Sequence, residues 1–160
     1  MVETIAVYWE DRIKTYGFEL ATGLALVQAR WAAGREDRRE APGPTYGLVL
    51  AQSFDGATLE LTLVMEAQAV SDLEKRPGRL ELYEVTAPVD MVHFQGPHFG
   101  DRYGIAAAAF AALAEDGLPL LAAGCAGSSI YLVLSEGRGE KARKALDQSF
   151  QVPRAQESEK

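Results

Sequence analysis

His93-Phe94-Gln95-Gly96-Pro97-His98-Phe99-Gly100-Asp101-Arg102-Tyr103-Gly104-Ile105 is the stretch on which the fold turns. Residues 89–95 alternate as a strand, residues 96–100 form a loop, and Asp101 is placed to cap a helix running from 102 to about 115. That helix is rich in Ala, with Ile105, Phe110 and Leu113 as its larger apolar groups. Gly96 and Gly100 let the backbone turn tightly and present N–H groups beside a helix N-terminus. Oriented donors and the helix dipole there favour carboxylate or phosphate. Gly104 suits close packing of helix on sheet. A plain strand-to-helix turn is the simpler account of the same residues.

Downstream, residues 118–123 form a strand, Gly124-Cys125-Ala126-Gly127 a turn, and residues 129–134 a second strand with Ile130, Leu132 and Leu134 inward. A basic amphipathic helix over 140–150 and a disordered tail over 153–160 complete the chain. Upstream, residues 4–10 are β-branched and aromatic, with Ile5, Val7 and Trp9 on one strand face. Leu20, Leu24, Val27 and Trp31 fit one helical stripe ending at Gly34, and residues 34–44 form a charged, Pro- and Gly-containing loop. Two alternating runs, 46–54 and 58–66, meet through Asp55-Gly56, a hairpin signal. Leu59, Leu61, Leu63 and Met65 share one face of the second run, so one side of this sheet is buried. A short helix near 70–75 and a strand at 80–85 follow.

The predicted order is β-α-β-β-α-β followed by β-α-β-β-α. Tyr16-Gly17-Phe18 stands about 87 residues before Tyr103-Gly104-Ile105. Such a duplication implies an α+β chain of two ferredoxin-like (βαββαβ) sandwiches, antiparallel sheets with helices on one face. The units would be 1–86 and 87–152, each near the lower size limit for independent stability, so they should pack together or dimerise.

Composition narrows the function classes. The chain has 160 residues, 48% hydrophobic, with 16 Lys+Arg against 23 Asp+Glu. That apolar content opposes disorder, and a net charge of −7 opposes nucleic acid or anionic membrane as partner. Cys125 is the single cysteine, which excludes an intrachain disulfide. No basic n-region opens the sequence and no apolar run reaches membrane-spanning length, so a cytoplasmic protein is expected.

The run Gly100-Asp101-Arg102-Tyr103-Gly104-Ile105-Ala106-Ala107-Ala108-Ala109-Phe110-Ala111-Ala112-Leu113-Ala114-Glu115-Asp116-Gly117-Leu118 resembles the ACT domains of aspartate kinases. Those domains carry a glycine loop, then Gly-Ile/Val-Ala-Ala, an aromatic, and Ala-Leu-Ala before an acidic or small residue and Gly-Ile. Residues 123–130 are similar to their second hairpin, and 142–150 to their closing helix. The resemblance is specific over about 89–150, whereas the first half follows it in element order. It implies a tandem ACT module that senses a free amino acid or related small zwitterion at the interface of paired modules. Carried over by position, the loop contacts are Gln95, Gly96, Pro97, His98, Phe99, Gly100, Asp101, Arg102, Tyr103, Gly104 and Ile105. The strand contacts are Ala123, Gly124, Cys125 and Ala126. Backbone N–H groups would take the α-carboxylate, and Asp101 or Gln95 the α-ammonium. Pro97-His98-Phe99 is bulkier than the usual loop, and Ser128-Ser129 replaces a frequent acidic residue, so a modified or larger ligand also fits.

The chain has no room for the kinase catalytic domain, so it is expected not to be an enzyme and to need no cofactor. Its partners would be a second copy and a separately encoded biosynthetic enzyme. Two alternatives remain: a structural or interaction subunit without ligand, and an acylphosphatase-like hydrolase. Against the hydrolase, Gly100 and Asp101 separate Phe99 from Arg102, and the sequence contains no Asn. His93 and His98 lack a third ligand for a metal, so His93 is expected to pack on the half-buried face and His98 to serve the loop. Cys125 is expected to fill space, and Asp11-Arg12 with Lys14 to form a solvated turn or a degenerate second site.

Overall fold

The computed structural model describes residues 12–32, 47–75, 80–97, 99–100 and 102–152, without the side chains of 32 and 80. The expected strand at 4–10, the charged loop at 34–44, the tail at 153–160, and His98 and Asp101 lie outside the described residues.

Among the described residues six strands make one sheet: β1 (Phe18–Ala32), β2 (Leu48–Phe54), β3 (Thr58–Glu66), β4 (Leu80–Gln95), β5 (Ala122–Ala126) and β6 (Ser129–Ser135). Their order is β2-β3-β1-β4-β6-β5, antiparallel throughout. The helices are α1 (Val70–Glu74), entered through a 3-10 turn at Ala67–Ala69, α2 (Ile105–Glu115) and α3 (Gly139–Ser149). The architecture is mixed α/β with an antiparallel sheet. Among the described residues no helix is long and apolar enough to cross a membrane.

The hairpin forms as read. Asp55 accepts the N–H groups of Ala57 at 2.9 Å and Thr58 at 2.7 Å, and these two bonds hold its carboxyl below the usual carboxylate range. Leu61, Leu63 and Met65 are buried, as the alternation requires.

The expected helix over 20–31 is instead a strand, the 15-residue β1. Leu24, Ala25, Leu26 and Val27 are all buried, because β1 is covered on both faces. Ala25, Val27 and Ala29 pack with Leu61, Leu63 and Leu73, whereas Leu24 and Leu26 pack with Val64, Val89 and Val133. A two-sided apolar run imitates a helical stripe.

The strands expected at 80–85 and 89–95 are the two ends of one 16-residue strand, β4. Its first end pairs with β1 from Leu26 to Trp31; its second pairs with β1 at Phe18–Ala21 on one side and β6 on the other. The β1–β4 register slips between Ala21 and Leu24 and again between Leu24 and Leu26, where bulges bend the sheet.

The strand expected at 118–123 begins later. Gly117 at φ +64° closes α2 through an N–H bond to Ala114, and the Leu118 N–H returns to Leu113, so Leu118 serves the helix end. The hairpin turn accordingly falls at Gly127-Ser128, not at 124–127.

Helices α2 and α3 cover the β4–β6 part of the sheet. Val92, Phe94, Ile105, Ala109, Leu113, Leu132, Leu146 and Phe150 form the core there. Residues 12–16 are tied to this C-terminal half. Gln151 N–H bonds Ile13 O at 2.8 Å, Thr15 N–H bonds Gln151 O at 3.0 Å, and the Arg12 guanidinium donates to Gln148 O.

Asp90 is a buried carboxylate in β4 whose Oδ2 accepts the Gly139 N–H at 2.9 Å, at the start of α3. Gly139 is closely covered, since a Cβ would fall 2.3 Å from Leu20 Cδ1 and 3.0 Å from Asp90 Oδ2, and the Leu20 side chain would have to move aside. A carboxylate facing helix N–H groups suits the dipole. Asp90→Ala is expected to cost about 2 kcal/mol, read as a Tm drop of about 4–8 °C in thermal denaturation. Asp90→Asn, which keeps an acceptor oxygen, should recover part of that loss.

Candidate functional site

The loop after β4 is fixed from beneath. The Gln95 carbonyl accepts the buried Thr15 hydroxyl at 2.7 Å and the Tyr16 N–H at 2.9 Å. Gly96 is buried, and a Cβ there would lie 2.4 Å from Lys14 O and 2.4 Å from Phe99 Cε1. Its glycine therefore serves packing: Phe99 folds back under it and meets Phe94 edge-on, ring centroids 5.8 Å apart. Phe99 thus packs against the core cluster around Phe94 and Phe150.

At the end of this loop Gly104 is the N-cap of α2, with φ +85°, and no described side chain caps the helix. Its carbonyl accepts the Ala108 N–H at 2.9 Å, the first bond of the helix. The amides ahead of Ala108 have no intrahelical partner, so they are available donors at the positive end of the helix dipole.

A cleft of about 240 Å³ opens beside that helix start. Phe99, Arg102, Tyr103 and Gly104 form its loop wall, Ile105 and Ala106 its helix wall, and Cys125, Gly127, Ser128, Ser129 and Ile130 the facing hairpin. Its volume lies below the ~300–1,000 Å³ of drug-sized pockets. The hairpin supplies two hydroxyls and an exposed thiol, the loop a guanidinium, and Phe99, Ile105 and Ile130 an apolar floor. Small ligands with an anionic end match donors of this kind.

The cleft brings together six of the expected residues: Phe99, Arg102, Tyr103, Gly104, Ile105 and Cys125. Gln95 is exposed at the end of β4 and reaches the hairpin by accepting the Ser129 hydroxyl at 3.5 Å. Gly96, Pro97, Gly100, Ala123, Gly124 and Ala126 do not line the cleft. Ala106, Gly127, Ser128, Ser129 and Ile130 were not among the expected contacts. The shift of β5 toward the C-terminus brings the hairpin residues into place. No group of three metal-ligating side chains occurs among the described residues. His93 is stacked on Tyr131 at 4.7 Å with Nδ1 3.5 Å from Glu19 Oε2, on the strand face opposite Phe94.

No family model and no curated protein matches the sequence. The fold does have relatives among solved structures. The ligand-free regulatory subunit of aspartate kinase from Thermus thermophilus superimposes with a TM-score of 0.64 at 14% identity, over 86% of this chain and 99% of that one. Aspartate kinase from Synechocystis gives a TM-score of 0.65 at 20% identity, over 91% of this chain and 29% of that one. A structure of aspartokinase alpha and beta subunits gives 0.55 at 18% identity, over 84% and 97%. The chain therefore shares its fold with the regulatory subunit of aspartate kinase and with a part of the longer Synechocystis kinase chain.

The conformation of Gly104 yields a direct comparison. Gly104→Ala places a side chain in left-handed backbone and is expected to cost about 1 kcal/mol, lowering Tm by about 3 °C. Gly100 has open space around it and no left-handed φ, so Gly100→Ala should leave the melting curve within a degree or so of wild type.

Proposed function

We propose that this protein is a stand-alone regulatory protein of ACT type that binds a free amino acid or related small zwitterion and carries no catalytic activity of its own. The observation that carries the reading is the cleft between the start of α2, which no described side chain caps, and the β5–β6 turn, in a fold shared with regulatory subunits of aspartate kinase. The α-carboxylate would take the first-turn amides at the head of α2, and the side chain would lie over Phe99, Ile105 and Ile130. Arg102, Tyr103 and the Ser128 and Ser129 hydroxyls rim the site. Asp101 and Gln95 are the groups proposed for the α-ammonium.

Pairing with a second copy, and with a separately encoded biosynthetic enzyme, belongs to the same proposal. The apolar flank of α2 supports association: Phe110 is 42% and Leu121 40% exposed, beside a shallow depression lined by Phe110, Gly117, Pro119 and Leu120. That flank also favours the second reading, an interaction subunit without ligand.

Thermal denaturation with each of the twenty amino acids separates the two readings. A ligand held by the native state at about 100 times its Kd adds about 2.7 kcal/mol, or about 5–10 °C in Tm. Ser128→Trp, which fills the cleft from an exposed turn, should abolish the shift while leaving the unliganded Tm close to wild type. Twenty silent amino acids would leave the interaction subunit as the better reading.

A further inference from the structure

Leu50 in β2 and Gly124 in β5 belong to opposite edges of the sheet, yet they touch, because the bent sheet brings its two outer strands together. Both strands are shaped for the contact. In β2 the register with β3 steps from Val49↔Leu63 to Ala51↔Thr62, leaving Leu50 without a ladder partner. A bulge of this kind re-aims a side chain, and Leu50 packs against the apolar group of Leu24, Leu26, Val64, Val89 and Val133. In β5, a Cβ on Gly124 would lie 3.0 Å from Leu50 Cδ2, 3.0 Å from the Leu50 carbonyl oxygen and 3.1 Å from its Cα. Both the side chain and the backbone of Leu50 therefore approach Gly124 more tightly than most side-chain contacts do. Gly124 has no left-handed φ; its glycine suits the close approach of β2 and not a conformation of its own.

The next residue along β5 is Cys125, which lines the cleft. Alternate residues of a strand face opposite sides, so β5 is a cleft wall on one face and a bearing surface for β2 on the other. We propose that β5 works as a lever: an occupant of the cleft that presses on the Cys125 side shifts Gly124 against Leu50 and displaces β2. This rests on the reading of the cleft as an effector site and adds the strand through which occupancy is reported to the N-terminal half. The coupling runs equally in reverse, as linkage requires.

N-Ethylmaleimide tests the lever without any amino acid. Cys125 is the only thiol and is exposed, so the reagent places a bulky group at the cleft wall of the intact protein. Hydrogen exchange of the segment 48–54, followed by mass spectrometry, is expected to change about fivefold or more on alkylation, and in Leu50→Ala, which removes the Cδ2 part of the contact, the change should be markedly smaller. Should Leu50→Ala not fold, Leu50→Val takes its place with a smaller loss. An adduct that leaves 48–54 unchanged overturns the proposal. So does a change that is undiminished in the Leu50 variant, or a Cys125 that the reagent cannot reach. Failure of the effector reading shows separately: a silent amino-acid screen with a responsive β2 removes the ligand and keeps the lever, whereas a positive screen with a silent β2 does the reverse.

Discussion

Everything in this molecule is hung on the pairing of two long central strands. β1 and β4 run antiparallel from Phe18↔Phe94 at one end to Trp31↔Leu80 at the other. β3 and β2 build outward from β1, and β6 and β5 from β4. β1, and β4 over Val89–Gln95 where β6 flanks it, are interior and bury side chains on both faces, whereas Tyr83 and Val85 earlier in β4 stay exposed; the three apolar clusters meet along these interior stretches. The register slips in the middle of that pair bend the sheet. The bend lets Leu50 reach Gly124 and encloses Leu24, Leu26, Val64, Val89 and Val133 between the two arms. A straight ladder with the same strands would expose those residues.

The parts of the fold that were legible in the sequence carry a marker beside their apolar pattern. The 48–66 hairpin has its Asp55-Gly56 turn, α2 its run of Ala, α3 its amphipathic stripe and β6 its Ile130, Leu132 and Leu134, although β3 and β6 each bury three consecutive residues. The central strands lack such a marker. In β1 four consecutive buried residues, Leu24 to Val27, erase the period of two. The bulge around Thr22-Gly23 then breaks what alternation is left, so Leu20, Leu24, Val27 and Trp31 imitate a helix. β4 reads as two strands in the sequence, yet it is one, with the register slip against β1 falling opposite Ala87-Pro88. The apolar run 118–123 suggests a strand, yet Gly117 and Leu118 are consumed in closing α2, and β5 starts only at Ala122.

The candidate site shows the same pattern at finer grain. The loop and helix start were legible because glycines and an Ala-rich helix mark them. The roles of individual glycines were not. Gly96 is there for Phe99 and the Lys14 carbonyl, Gly104 for a left-handed cap, and Gly124 for the approach of Leu50. All three requirements involve residues distant in sequence or backbone angles that composition does not encode. The contributions of Ser128 and Ser129 were hidden by the hairpin turn: moving it by a few residues exchanges which side chains face the helix.

The hydrogen bonds between Ile13, Thr15 and Gln151 set the two ends of the described chain side by side. Thr15 also grips the Gln95 carbonyl, next to the loop that walls the cleft. Arg12 and Val152 therefore stand at one corner of the sheet, beside that loop, and a strain applied to either segment is felt first at the Gln95 carbonyl and the wall of the cleft.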